Sequence, residues 1–101
     1  MSFDPCEELD ALAAHSLIRD IVVSGEVIIS RHAKDRMKQR GYSAHDVEYI
    51  LLNGKVVGKD FKETTKQWAY TVTGDDLEGE SGSVVVVVIR RSAGVVVTVL
   101  S

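Results

Sequence analysis

Apolar residues recur at spacings of three and four over the first half of the chain and then run alternately or continuously after Gly54, so the period changes from helical to extended at that point. Leu9, Leu12, Ala13, Leu17, Ile18 and Ile21 predict one buried face of a first helix. Asp4 suits its N-cap, with Pro5 at N1 and Glu7 at N3, and Ser24-Gly25 suits its end. His15 falls at the edge of that face and reads as a helix residue beside the core. Residues 26–29 form a short β-like run, either an edge strand or an extended link.

Residues 30–47 carry the densest local signals. Ser30 is placed to cap a helix over 31–40, and Gly41 stands where a left-handed residue ends it. Ser43 then caps a third helix over about 44–52, with Asp46 in the capping-box position and Tyr42 and Val47 at the two ends of a hydrophobic staple. Ala33 and Met37 make a narrow apolar stripe on the second helix, and Val47, Ile50 and Leu51 the buried face of the third. Asn53-Gly54 stops it.

Four strands are predicted beyond this, over 55–61, 67–73, 83–91 and 95–100, with Ser92-Ala93-Gly94 as a hairpin turn. Residues 84–89 are apolar at every position, which marks a central strand covered on both faces. Helices first and strands afterwards define an α+β fold of one domain over 1–101, its N-terminal helices packed on a C-terminal antiparallel sheet of about four strands. The first helix and the basic helix would cover one sheet face. The other would then be a shallow basic groove ringed by Lys55, Lys59, Lys62, Tyr70 and Arg90.

Composition narrows the class. The apolar fraction is 45%, ordinary for a packed domain. No apolar run approaches the roughly 20 residues that span a bilayer and the N-terminus lacks a signal-peptide pattern, so the expectation is a cytoplasmic protein with no membrane partner. Cys6, the single cysteine, excludes an internal disulfide and a cysteine-based metal site, and it is placed in the first turn of the first helix. The formal net charge is −3, which argues against indiscriminate coating of nucleic acid. That charge is unevenly spread, at −5 over residues 1–30, +4 over 31–66 and −2 over 67–101. The basic centre is a candidate face for an anionic ligand. The acidic, glycine-rich loop over 74–82 has a composition suited to flexibility and lacks the spacing of a calcium loop.

Candidate chemistry follows from the basic helix, where His32, Arg36 and Arg40 lie four apart and set an imidazole beside guanidinium groups, a combination suited to phosphate. The same residues also suit a solvated face. The segment HAKDRMKQRGYSAHDVEYILLNGKVV resembles the family catalogued as domain of unknown function 4258, small bacterial proteins with a His-Ala-x-x-Arg-Met-x-x-Arg-Gly signature. Here the matching residues are His32, Ala33, Arg36, Met37, Arg40 and Gly41. More distantly, the order of elements is similar to that of the MqsR and RelE type of messenger-RNA-cleaving toxins, compact α+β proteins neutralised by an antitoxin. That resemblance implies a functional lysine at Lys59 or Lys62, while the tyrosine expected on the penultimate strand is absent.

Two functional expectations result. One is a toxin-like, metal-independent endoribonuclease of a toxin–antitoxin pair, with His32, Arg36, Lys59 and Tyr70 as catalytic residues and Arg31, Lys34, Arg40, Lys55, Lys62 and Arg90 binding RNA, needing no metal or cofactor. Its partners would be RNA and an antitoxin protein. The alternative is a non-catalytic protein-interaction module of the same fold, in which His32 and Arg36 form a structural pair. A valine-rich sheet with few covering helices further predicts a homodimer or a partner protein over the uncovered face.

Overall fold

The computed structural model describes residue 4 and residues 6–100. Helix α1 spans Ala11–Ser24, strand β1 Glu26–Ile29, helix α2 Arg31–Arg40, helix α3 Ala44–Asn53, and strands β2 to β5 Lys55–Lys62, Gln67–Asp75, Ser81–Arg90 and Ala93–Leu100. The sheet has five strands rather than four, in the order β1-β5-β4-β3-β2, and is mixed rather than antiparallel. Strands β2 to β5 form an antiparallel meander, as expected, and β1 adds to β5 in parallel. A run of four residues shows no partner in its own pattern, and β1 pairs with a strand almost seventy positions away.

The first helix starts later than its sequence signals suggest. Its N-cap is Asp10, whose Oδ1 accepts the Ala13 N–H at 2.8 Å. Asp4 instead closes a separate turn, accepting the Cys6 N–H on Oδ1 and the Glu7 N–H on its carbonyl oxygen. Pro5 lies outside the described residues, and Cys6 sits in that turn and not in a helix. With the cap at Asp10, the buried stripe is Ala14, Ile18 and Ile21, while Leu12 is 86% exposed and Ala13 also faces solvent. Leu9, counted as helical in the periodic pattern, precedes the helix.

The α2–α3 corner matches its sequence in detail. Ser30 Oγ accepts the Ala33 N–H at 3.1 Å, Gly41 is left-handed at φ 72°, and Ser43 and Asp46 complete a capping box. All three helices cover one sheet face. Ile18, Ile21, Ala33, Met37, Val47, Ile50 and Leu51 pack against Val72, Val84, Val86, Val88, Val96 and Val99. Each large aliphatic side chain buried in this way is worth about 1.5–3 kcal/mol of transfer free energy. His15 joins α1 to α3 by donating from Nε2 to the Leu51 carbonyl at 2.9 Å.

Strand β4 is central, as expected, and Val84, Val86, Val87 and Val88 are buried. Among the described residues, however, no helix lies on its second face. The β4–β5 turn is Arg91-Ser92, and Ala93 and Gly94 already belong to β5. The acidic loop is pinned: Asp76 is buried and its Oδ1 accepts the N–H groups of Glu78 and Glu80.

Candidate functional site

Direct pairing across the sheet assigns each residue to a face, because residues opposite one another point the same way. One register row runs Ile29, Val96, Val86, Tyr70, Lys59 across all five strands, and it lies under the helices. The next runs Ile28, Val95, Val87, Ala69, Asp60 on the helix-free face. Lys59 and Tyr70 therefore belong to the covered side and not to the predicted basic groove. Lys55 and Lys62 lie on the helix-free side, opposite Thr73 and Gln67, and Arg90 is exposed where β4 meets its turn.

The two halves of the proposed catalytic group sit on different parts of the sheet. Helix α2 packs on β5, tied to it where the Ser30 hydroxyl donates to the Val97 carbonyl at 3.3 Å. His32 is exposed in its first turn, and Arg36, half-buried, donates to Gln39 Oε1 at 3.5 Å rather than pairing with His32. Arg40 is half-buried, with an Nε that has no hydrogen-bond partner among the described residues. Arg31, Lys34 and Lys38 point into solvent. Strand β4 separates β5 from β3, so two to three strand spacings, about 10–15 Å, lie between the α2 row and the Lys59–Tyr70 pair. Proton transfer within one centre requires about 3 Å. The fold does not bring the four residues into one centre.

Lys59 and Tyr70 are also engaged. Residues 6–9 cross β2 and β3 as a strap: Lys59 Nζ donates to the Leu9 carbonyl at 3.1 Å and pairs with Glu8 at 2.9 Å, while the Leu9 N–H donates to the Tyr70 hydroxyl at 3.1 Å. Trp68 Nε1–H donates to the Cys6 carbonyl at 3.0 Å, and the Cys6 thiol donates to the Lys66 carbonyl. Burial raises the Tyr70 phenol above its ordinary pKa, against the Leu9 hydrogen bond and the Lys59 ammonium, which lower it. A phenol so placed stays protonated at neutral pH.

One feature went unread in the sequence, and another, the open sheet face, was expected as a basic groove and is largely apolar. The first is this strap, whose residues look like the first turn of a helix until Asp10 is recognised as the cap. The other is the helix-free face, where Val85, Ile89, Val95 and Val97 are half-buried, Val57 is 57% exposed at a bulge in β2, and Ile28 and Leu100 are exposed at the edges. Thr64 and Thr65 of the β2–β3 turn overhang one end and make a groove against Val87, Ile89, Val95 and Val97. Its signal was the all-apolar run of β4, read as a strand covered on both sides.

Among the described residues no group of three His, Cys, Asp or Glu side chains is arranged to hold a metal ion, and no helix is long and apolar enough to cross a membrane. Residues 29–101 match the model of a domain of unknown function, DUF4258. No curated protein and no solved structure matches the chain, so the likeness to MqsR and RelE rests on the order of elements alone.

Proposed function

The chain belongs to the DUF4258 family, and on that footing we propose that it is a protein-interaction module without a catalytic centre of its own, its helix-free sheet face pairing with a second copy. The observation that carries this is the apolar surface left on the face that no described helix covers, where Ile28, Val57 and Leu100 are exposed and Val85, Val95 and Val97 half-buried around the already buried Val87 and Ala69. Five strands about 4.8 Å apart and some seven residues long present about 500 Å² of flat area, so two faces together remove about 1,000 Å², the lower limit for a specific interface. Flat, β-branched surfaces of this kind stack on one another about 10 Å apart. The exposed Lys62–Asp60 pair at 2.9 Å and Lys55 lie on the outer strand β2, where they can stay in water at the rim of such a contact.

Sedimentation equilibrium tests the reading. The wild type should behave as a dimer and Ile28→Lys, at an exposed position of the same face, as a folded monomer, whereas a wild-type monomer at high concentration would remove the second copy from the proposal and leave a different protein as the partner.

A second reading keeps RNA as a ligand. It is favoured by the exposure of Arg31, His32 and Lys34 side by side at the start of α2, a cationic turn that no other element covers. Binding there would weaken steeply with salt. Cleavage would require the endoribonuclease residues His32, Arg36, Lys59 and Tyr70 to be assembled from separate places. Incubation with mixed-sequence RNA in the presence of EDTA decides it: cleavage abolished by both His32→Ala and Lys59→Ala would establish the enzyme and overturn the interaction module.

A further inference from the structure

We propose that the β2–β3 hairpin is a recognition site for an acidic peptide segment bearing Glu-Leu, and that residues 6–9 occupy it in cis as a displaceable plug. The contacts are those of peptide recognition. Lys59 takes a carboxylate from Glu8 and a main-chain carbonyl from Leu9, Tyr70 accepts the Leu9 N–H, and Trp68 donates to the Cys6 carbonyl. Leu9 itself packs at the edge of the core. One cation thus reads an acidic side chain while two aromatic side chains read the backbone on either side of it.

Ownership of the two halves differs. Lys59, Trp68 and Tyr70 lie within the matched family domain, residues 29–101, and the plug lies outside it. The plug is also separable from the fold that follows. Helix α1 is capped by Asp10 without help from residues 6–9, and its anchors Ala14, Ile18 and Ile21 all come later. Except for the Leu9–Tyr70 bond and the partly buried Leu9 side chain, the contacts holding the plug are exposed, and exposed ion pairs and hydrogen bonds hold a segment weakly. Release at Asp10 would uncover Lys59, Trp68 and Tyr70 with the core intact. A partner presenting an acidic Glu-Leu segment would then compete with the chain's own. This inference does not depend on the sheet-face dimer.

Trp68 is the only tryptophan in the chain, so its fluorescence reports the plug directly. The full-length double variant Glu8→Lys with Leu9→Ser should shift Trp68 emission to longer wavelength while keeping its far-ultraviolet circular dichroism. A synthetic peptide carrying residues 4–10, with serine in place of cysteine, should reverse that shift and bind this variant at least about tenfold more tightly than the wild type, whose site is filled. Adding Lys59→Ala, which removes the cation without giving the chain's own lysine at position 8 a new partner, should abolish peptide binding. If the double variant fails to fold, Glu8→Lys alone provides the same comparison. A folded, plug-released variant that does not bind the peptide would overturn the proposal, and so would exchange of the segment between copies, seen as a plug-dependent dimer.

Discussion

Gly82 has no side chain because the Tyr42 hydroxyl stands where its Cβ would be, with Ile50 beside it. Gly82→Ala should therefore cost about 1–3 kcal/mol by overpacking, and the loss should shrink when Tyr42→Phe is added, since the phenol oxygen is the nearest obstacle. Thermal melts of the two single variants and the double variant measure this. Asp46 has a different kind of importance. Its carboxyl is held below its ordinary pKa, first by the Ser43 N–H and then by the Leu77 N–H and the Ser43 hydroxyl. A carboxyl whose folded pKa is depressed contributes stability above its unfolded pKa, and that contribution is lost as pH falls through the folded value. Stability should thus decline on acidification below the usual carboxylate range, and Asp46→Asn should flatten that decline when melting temperature is followed from neutral to acid pH.

At the scale of the element, α2 was readable in detail because its signals are local. Ser30, Gly41, Ser43 and Asp46 act within a few residues of where they stand, through hydrogen bonds that the neighbouring backbone must make. Ser30→Ala should cost about 0.5–2 kcal/mol by loss of the cap, together with the bond to Val97 that ties the helix to β5. His32→Ala, two positions on, should change stability by less than about 0.5 kcal/mol, because the imidazole is exposed. A large loss of melting temperature in His32→Ala would show a structural role that the exposed position does not predict. Elements defined by distant contacts were not readable. Strand β1 owes its place to β5, and residues 6–9 owe theirs to contacts with β2, β3 and the turn between them, fifty or more positions away. The candidate site suffered for the same reason: spacing put His32, Arg36 and Arg40 in one row, but which sheet face Lys59 and Tyr70 would share depended on the five-strand register and the bulge near Val57.

For the whole molecule, helices on one side and, among the described residues, none on the other leave one sheet face uncovered, and on the proposed reading a second copy pairs there. Two apolar surfaces are candidates for the proposed interface. One is the helix-free face around Val87 and Val95, and the other is the outer side of α1, where Leu12 and Val23 are exposed. Only the first is broad, flat and continuous across strands. A sample mixing isotope-labelled and unlabelled protein separates them, because methyl contacts between copies can then be distinguished from those within a copy. Intermolecular nuclear Overhauser effects should appear at the methyls of Val87, Ile89 and Val95 and be absent at Val84 and Val99 beneath the helices; effects confined to Leu12 and Val23, or none at concentrations where the protein is fully dimeric, would contradict pairing through the sheet.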